Sequence, residues 1–78
     1  MPGVRIGPYA IHFYQYDLRE PIHVHIRRER KQAKFWLDPV SLARSSGFSA
    51  QELRDIERVL SANRERLVKL WNHERSKL

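Results

Sequence analysis

The sequence contains no cysteine, so neither a disulfide nor a thiolate-bound zinc staples the chain. No apolar run approaches the roughly 18–20 residues that span a bilayer. No N-terminal apolar stretch has the secretory pattern either, so a cytoplasmic location with no membrane partner is expected. Negative charge is also scarce. Nine Asp+Glu face fifteen Lys+Arg, giving a net +6 and a pI near 10.3. Eleven of the cations are Arg, whose planar fork of donors suits phosphate and carboxylate. Length is the last shortage: 78 residues bound the chain to one domain with a thin core. With neither a large core nor a staple, self-association or a bound partner becomes a source of stability. A basic domain of this size points to nucleic acid, a ribosome or an acidic partner protein.

The positive excess is uneven, with a net +4 over residues 1–48 and +2 over residues 49–78. The hydrophobic pattern divides at the same place. In Tyr9–Tyr16, Ile11 and Phe13 fall on one face, and His12, Tyr14 and Tyr16 on the other. In Ile22–Arg27, Ile22, Val24 and Ile26 alternate with His23, His25 and Arg27. In Ala33–Asp38, Ala33, Phe35 and Leu37 oppose Lys34, Trp36 and Asp38. Period-two alternation marks a half-buried strand. The breaks at Asp17–Pro21 and Arg28–Gln32 have hairpin length. A short fourth strand around Val40–Ala43, opened by Pro39, suits a sheet edge.

From Ser49 the period becomes helical. Leu53, Ile56, Leu60, Leu67, Leu70 and Trp71 form a stripe with Val59 beside it, as on an amphipathic helix. Ser49 and Glu52 have capping-box spacing, Phe48 and Leu53 that of a hydrophobic staple, and Gly47 permits the turn before them. The helix should run to Ser76, roughly 40 Å at 1.5 Å per residue. Asn63 interrupts the stripe, as a bend, a satisfied core amide or a partner contact. Glu65 and Lys69 form an i, i+4 pair, and His73 suits the negative end of the helix dipole. The expected architecture is α+β: a three- or four-stranded antiparallel sheet with one long C-terminal helix packed across one face. Residues 1–8 form an N-terminal arm, 9–48 the sheet and 49–76 the helix.

The opposite face of that sheet should display His12, Tyr14, Tyr16, His23, His25, Arg27, Lys34 and Trp36. Flat rings beside cations can stack on unpaired bases and hold phosphates. The hairpin adds Arg28, Arg30 and Lys31 to this RNA platform. A second subunit or a small protein could cover the same face instead. His23 and His25, about 6–7 Å apart along one strand face, have spacing for joint ligation of a divalent transition metal, with His12 as third ligand. The same histidines could do acid–base chemistry without metal, with Tyr14 as an acid and Arg27 on a phosphate.

Three segments carry a family resemblance: Glu20-Pro21-Ile22-His23-Val24-His25-Ile26, Ala33-Lys34-Phe35-Trp36-Leu37-Asp38-Pro39-Val40 and Ser46-Gly47-Phe48-Ser49-Ala50-Gln51-Glu52-Leu53. Together with the Met-Pro start and Trp71-Asn72, they resemble the small prokaryotic domain-of-unknown-function family 4160. The family more often has two prolines before the first His; Ile22 takes the second place here. The resemblance implies one half of a two-gene cassette, toxin-like and interfering with translation, with His23 and His25 as the leading candidates for activity. Three functions follow as expectations. The first is a toxin-like module on RNA or the translation machinery, masked by a partner. The second is a non-catalytic dimerisation or regulator-binding domain, and the third a small metal-dependent enzyme using His23, His25 and His12.

Overall fold

The computed structural model describes residues 3–14 and 19–77. It contains five strands, β1 (Gly3–Ile6), β2 (Tyr9–His12), β3 (His23–Arg28), β4 (Lys31–Leu37) and β5 (Val40–Ser46), then two helices, α1 (Ala50–Ala62) and α2 (Arg64–Arg75). Each strand pairs antiparallel with the next, in the spatial order β1-β2-β3-β4-β5. The α+β class and antiparallel sheet agree with the sequence pattern. The strand count and the single helix do not.

Residues 3–6 belong to the sheet instead of a loose arm. Gly3, Val4, Arg5 and Ile6 pair with His12, Ile11, Ala10 and Tyr9. Val4 and Ile6 pack against the core while Arg5 stays exposed. Gly7, at φ +57°, makes the turn that closes this hairpin; a side chain there would be strained. At the other edge, β5 runs to Ser46, three residues past the expected end. Lys34 pairs with Arg44 but Phe35 pairs with Leu42, so Ala43 is an extra residue and the ladder bulges. The β3–β4 connection is shorter than expected, because Arg28 and Lys31 still pair and only Glu29 and Arg30 turn.

The core follows the alternation. Ile11, Phe13, Val24, Ile26, Phe35 and Leu37 are buried, joined by Tyr9 and Ala33, with Ile22 partly buried beside them. Ile56, Leu60, Leu67 and Trp71 close the core from the helices. Each fully buried side chain of this size contributes about 1.5–3 kcal/mol. The start of α1 carries both predicted devices. Glu52 N–H donates to Ser49 Oγ at 3.1 Å, and Ser49 N–H donates to Glu52 Oε1 at 3.3 Å. Phe48 is buried next to partly buried Leu53.

Asn63 replaces the single long helix with two. Its backbone leaves helical geometry (φ −113°, ψ 12°). Its Nδ2 donates to Val59 O at 2.8 Å, fastening the side chain to the preceding turn. Arg64 then anchors α2 to the sheet. Its Nε donates to Leu37 O at 2.7 Å, and its Nη2 lies 3.2 Å from Asp38 Oδ1. The break thus lets α2 start against the end of β4. No helix among the described residues is long and apolar enough to cross a membrane.

Candidate functional site

Strand register builds the outer face, turned away from the helices everywhere but at His23, in cross-strand rows. His12, His25, Lys34 and Arg44 form one row across β2 to β5. Arg5, Ala10, Arg27, Gln32 and Ser46 form the next across all five strands. His23, Trp36 and Ser41 form a third. Residues directly opposite one another in a ladder share a face, so each row is a continuous strip of side chains.

Aromatic rings run through these rows in contact. Tyr14 meets His12 and His25 edge-on, with centroids 5.1 and 4.9 Å apart. Its hydroxyl and His12 Nε2 hydrogen-bond at 3.1 Å. His12 and His25 stack at 5.9 Å with 23° between planes. His25 meets His23 at 5.2 Å, and His23 meets Trp36 at 5.6 Å. Lys34 Nζ sits 4.7 Å over the Trp36 ring and pairs with Glu20 Oε1 at 2.8 Å. The side chain of Lys34 is only 12% exposed, so the ammonium is held in a fixed place. Burial, then the charges of His25 and Arg27, lowers the His12 pKa, which favours the neutral imidazole that can accept a proton.

Two expectations about this face need correction. His23 is not displayed: it is 0% exposed, because α2 brings Trp71 to 5.1 Å from it. Its Nδ1 donates to Pro21 O at 2.9 Å, which fixes the ring at the start of β3. Arg28 and Lys31 are not on this face either. They share the alternation of Val24, Ile26, Ala33 and Phe35, and so turn toward the helices. Lys31 Nζ bonds Glu52 Oε2 at 2.7 Å, with Arg28 Nη1 at 3.9 Å from the same oxygen. Both also lie over rings, Arg28 over Tyr9 and Lys31 over Phe48. Arg30 is exposed at the hairpin tip. Arg27 is on the outer face, with its Nε donating to Glu29 O at 3.2 Å. Tyr16 lies outside the described residues.

The charge distribution is sharper than the sequence halves suggested. The strands contain Arg5, Arg27, Arg28, Lys31, Lys34 and Arg44, and no Asp or Glu. The helices carry both signs, and of their five acids, Glu52, Asp55, Glu65 and Glu74 each pair with a cation. Arg5 and Arg44, both on the outer face, were not singled out from sequence. The signal for Arg5 was the alternation of Val4 and Ile6 around it. Among the described residues, no group of three His, Cys, Asp or Glu side chains is placed to hold a metal ion.

The family model described as Domain of unknown function (DUF4160) matches residues 9–72. The chain belongs to that family. No curated protein and no solved structure matches it significantly. The DUF4160 match takes in β2 to β5, α1 and most of α2, and with them the ring chain from Tyr14 to Trp71. Strand β1 and Arg5 lie before it, so one edge of the outer face stands outside the matched DUF4160 span.

Proposed function

We propose that this chain binds single-stranded RNA through the outer face of its sheet, as the toxin-like half of a two-component module. The observation that carries this reading is that Arg5, Arg27, Lys34 and Arg44 share one sheet face with the half-buried rings of His25 and Trp36, beside Tyr14, on strands that contain no carboxylate. Cations hold the phosphates, and each stacked base adds about 1–3 kcal/mol. The hydrogen-bonded pair of Tyr14 and His12, with His25 against both, offers donors and acceptors for proton transfer at a bound strand. An acidic partner protein would neutralise the same four cations and so compete with RNA. His23 positions the ring chain from beneath.

Fluorescence anisotropy with a labelled single-stranded RNA at low salt tests the binding. The protein should bind saturably, and an acidic polypeptide should displace the RNA. The Arg5→Gln/Arg27→Gln double variant should bind more weakly, with its circular dichroism unchanged. Absence of saturable binding at low salt would remove the proposal. Induction in cells tests the toxin-like role: protein synthesis should fall, and His25→Ala should restore it. Unimpaired synthesis would leave a binding domain without toxic action. Stable self-association through the same face would favour the dimerisation domain.

A further inference from the structure

Beside the ring chain, a recess of about 200 Å³ opens between β3, β4 and β5, lined by His25, Gln32, Lys34, Arg44, Ser45 and Ser46. Register explains why these groups converge. Lys34 stands between His25 and Arg44, and Gln32 is opposite Ser46. The bulge at Ala43 comes directly after this pairing, and bulges re-aim the side chains around them. Every polar side chain that register turns toward the recess can donate a hydrogen bond: an ammonium, a guanidinium, a carboxamide, an imidazole and the Ser46 hydroxyl. Ser45, opposite Ala33, contributes backbone to the lining. None of the lining residues is a carboxylate. Glu20 takes one position on the Lys34 ammonium, which has three donors in all. Arg44 makes no ion pair among the described residues, although it is the strongest fork donor at the rim.

We infer that this recess is a phosphate-binding subsite, with Arg44 and Lys34 supplying charge and Gln32 and Ser46 supplying neutral donors. The inference deepens the RNA-binding reading and rests on it for the source of the phosphate group. A strand stacked on Trp36 and the imidazoles would pass one backbone phosphate over Lys34, which lies over the Trp36 ring and lines the recess.

Amide chemical shifts of isotope-labelled protein, titrated with inorganic phosphate against sodium chloride of matched ionic strength, test the site. Saturable shifts should appear at residues 32–34 and 44–46. Arg44→Gln should weaken phosphate binding about tenfold, the loss expected for one charge-assisted hydrogen bond. Arg66→Gln, which removes the same charge from exposed α2, should leave it unchanged. Equal loss in both variants, or shifts no different from those with chloride, would overturn the inference. A single-stranded RNA that displaces phosphate from these amides identifies a phosphodiester as the ligand. Phosphate binding that RNA leaves untouched would keep the subsite as one for free phosphate, while the RNA-binding reading would fall.

Discussion

His23 meets Trp71 edge-on, with ring centroids 5.1 Å apart and planes at 62°. The same indole meets Phe13 at 5.5 Å, so one residue near the end of α2 seals both the core and the first residue of β3. Trp71 is 1% exposed, and its truncation leaves a void that the thin core cannot refill. Trp71→Ala should cost about 3–5 kcal/mol, a large share of the roughly 5–15 kcal/mol that holds a domain folded. Urea unfolding followed by circular dichroism measures this. Trp71→Phe, which keeps a ring against Phe13, should cost clearly less. A loss below about 1 kcal/mol for the alanine variant would mean that Trp71 does not close the core.

The inward and outward sides of β2, β3 and β4 were legible because their alternation is unbroken. Ile22, Val24 and Ile26 against His23, His25 and Arg27 leave one register that buries the apolar set. Parity reports the side of the sheet, however, and not what lies over it. The cover on His23 comes from a residue 48 positions later in the chain, placed there by the break at Asn63. Strand β5 was only partly legible, because the extra residue Ala43 breaks the period before Arg44. Four residues between Pro2 and the Gly7-Pro8 turn gave β1 too little pattern to separate it from an arm. The cations at the hairpin crowd together in sequence; the two-residue turn at Glu29 and Arg30 fixes the register that puts Arg28 and Lys31 on the helix side, beside Glu52, and Arg27 on the other.

Arg64 turns the helix break into a joint. Its guanidinium bonds the Leu37 carbonyl at 2.7 Å and reaches Asp38, so α2 is tied to the sheet where α1 ends. Hydrogen bonds to charged groups contribute about 1.5–3 kcal/mol, and the half-exposed position of Arg64 places it at the lower end. Arg64→Ala should destabilise the fold by about 1–2 kcal/mol, while Arg66→Ala one turn face away should change little. Thermal and urea unfolding of the two variants separate these outcomes. Equal stability would mean that the tie to Leu37 contributes nothing.

Acid should weaken the fold in two stages. Burial, then the nearby charges of His25 and Arg27, lowers the His12 pKa from its ordinary 6.5. The unfolded chain therefore takes up this proton first, and stability is lost as pH falls from 6.5 toward the lowered native value. The hydrogen bonds from Lys31 and from the Ser49 backbone N–H lower the Glu52 pKa from its ordinary 4.5. The stability Glu52 contributes is present above 4.5 and is lost as pH falls through the lowered native value. Urea midpoints measured from pH 8 to pH 3 should show both declines. His12→Gln should flatten the upper one and Glu52→Gln the lower one. An upper decline that persists in His12→Gln would assign it to another group.

RNA affinity should depend on salt in proportion to the cations that reach phosphate. Each phosphate neutralised on a single strand contributes about −0.7 to the slope of log K against log salt. If Arg5, Arg27, Lys34 and Arg44 each engage one phosphate, the slope should be close to −3, by the same proportion. Arg27→Gln and Arg44→Gln should each make it shallower by about 0.7. Arg28→Gln should leave it unchanged, because Arg28 faces the helices beside Glu52. Trp36→Ala should lower affinity at every salt concentration by the cost of one stacked base, about 1–3 kcal/mol, without altering the slope. Binding isotherms at several salt concentrations distinguish these variants. An equal change of slope for Arg27→Gln and Arg28→Gln would show that RNA senses only the net charge, with no preference for the outer face.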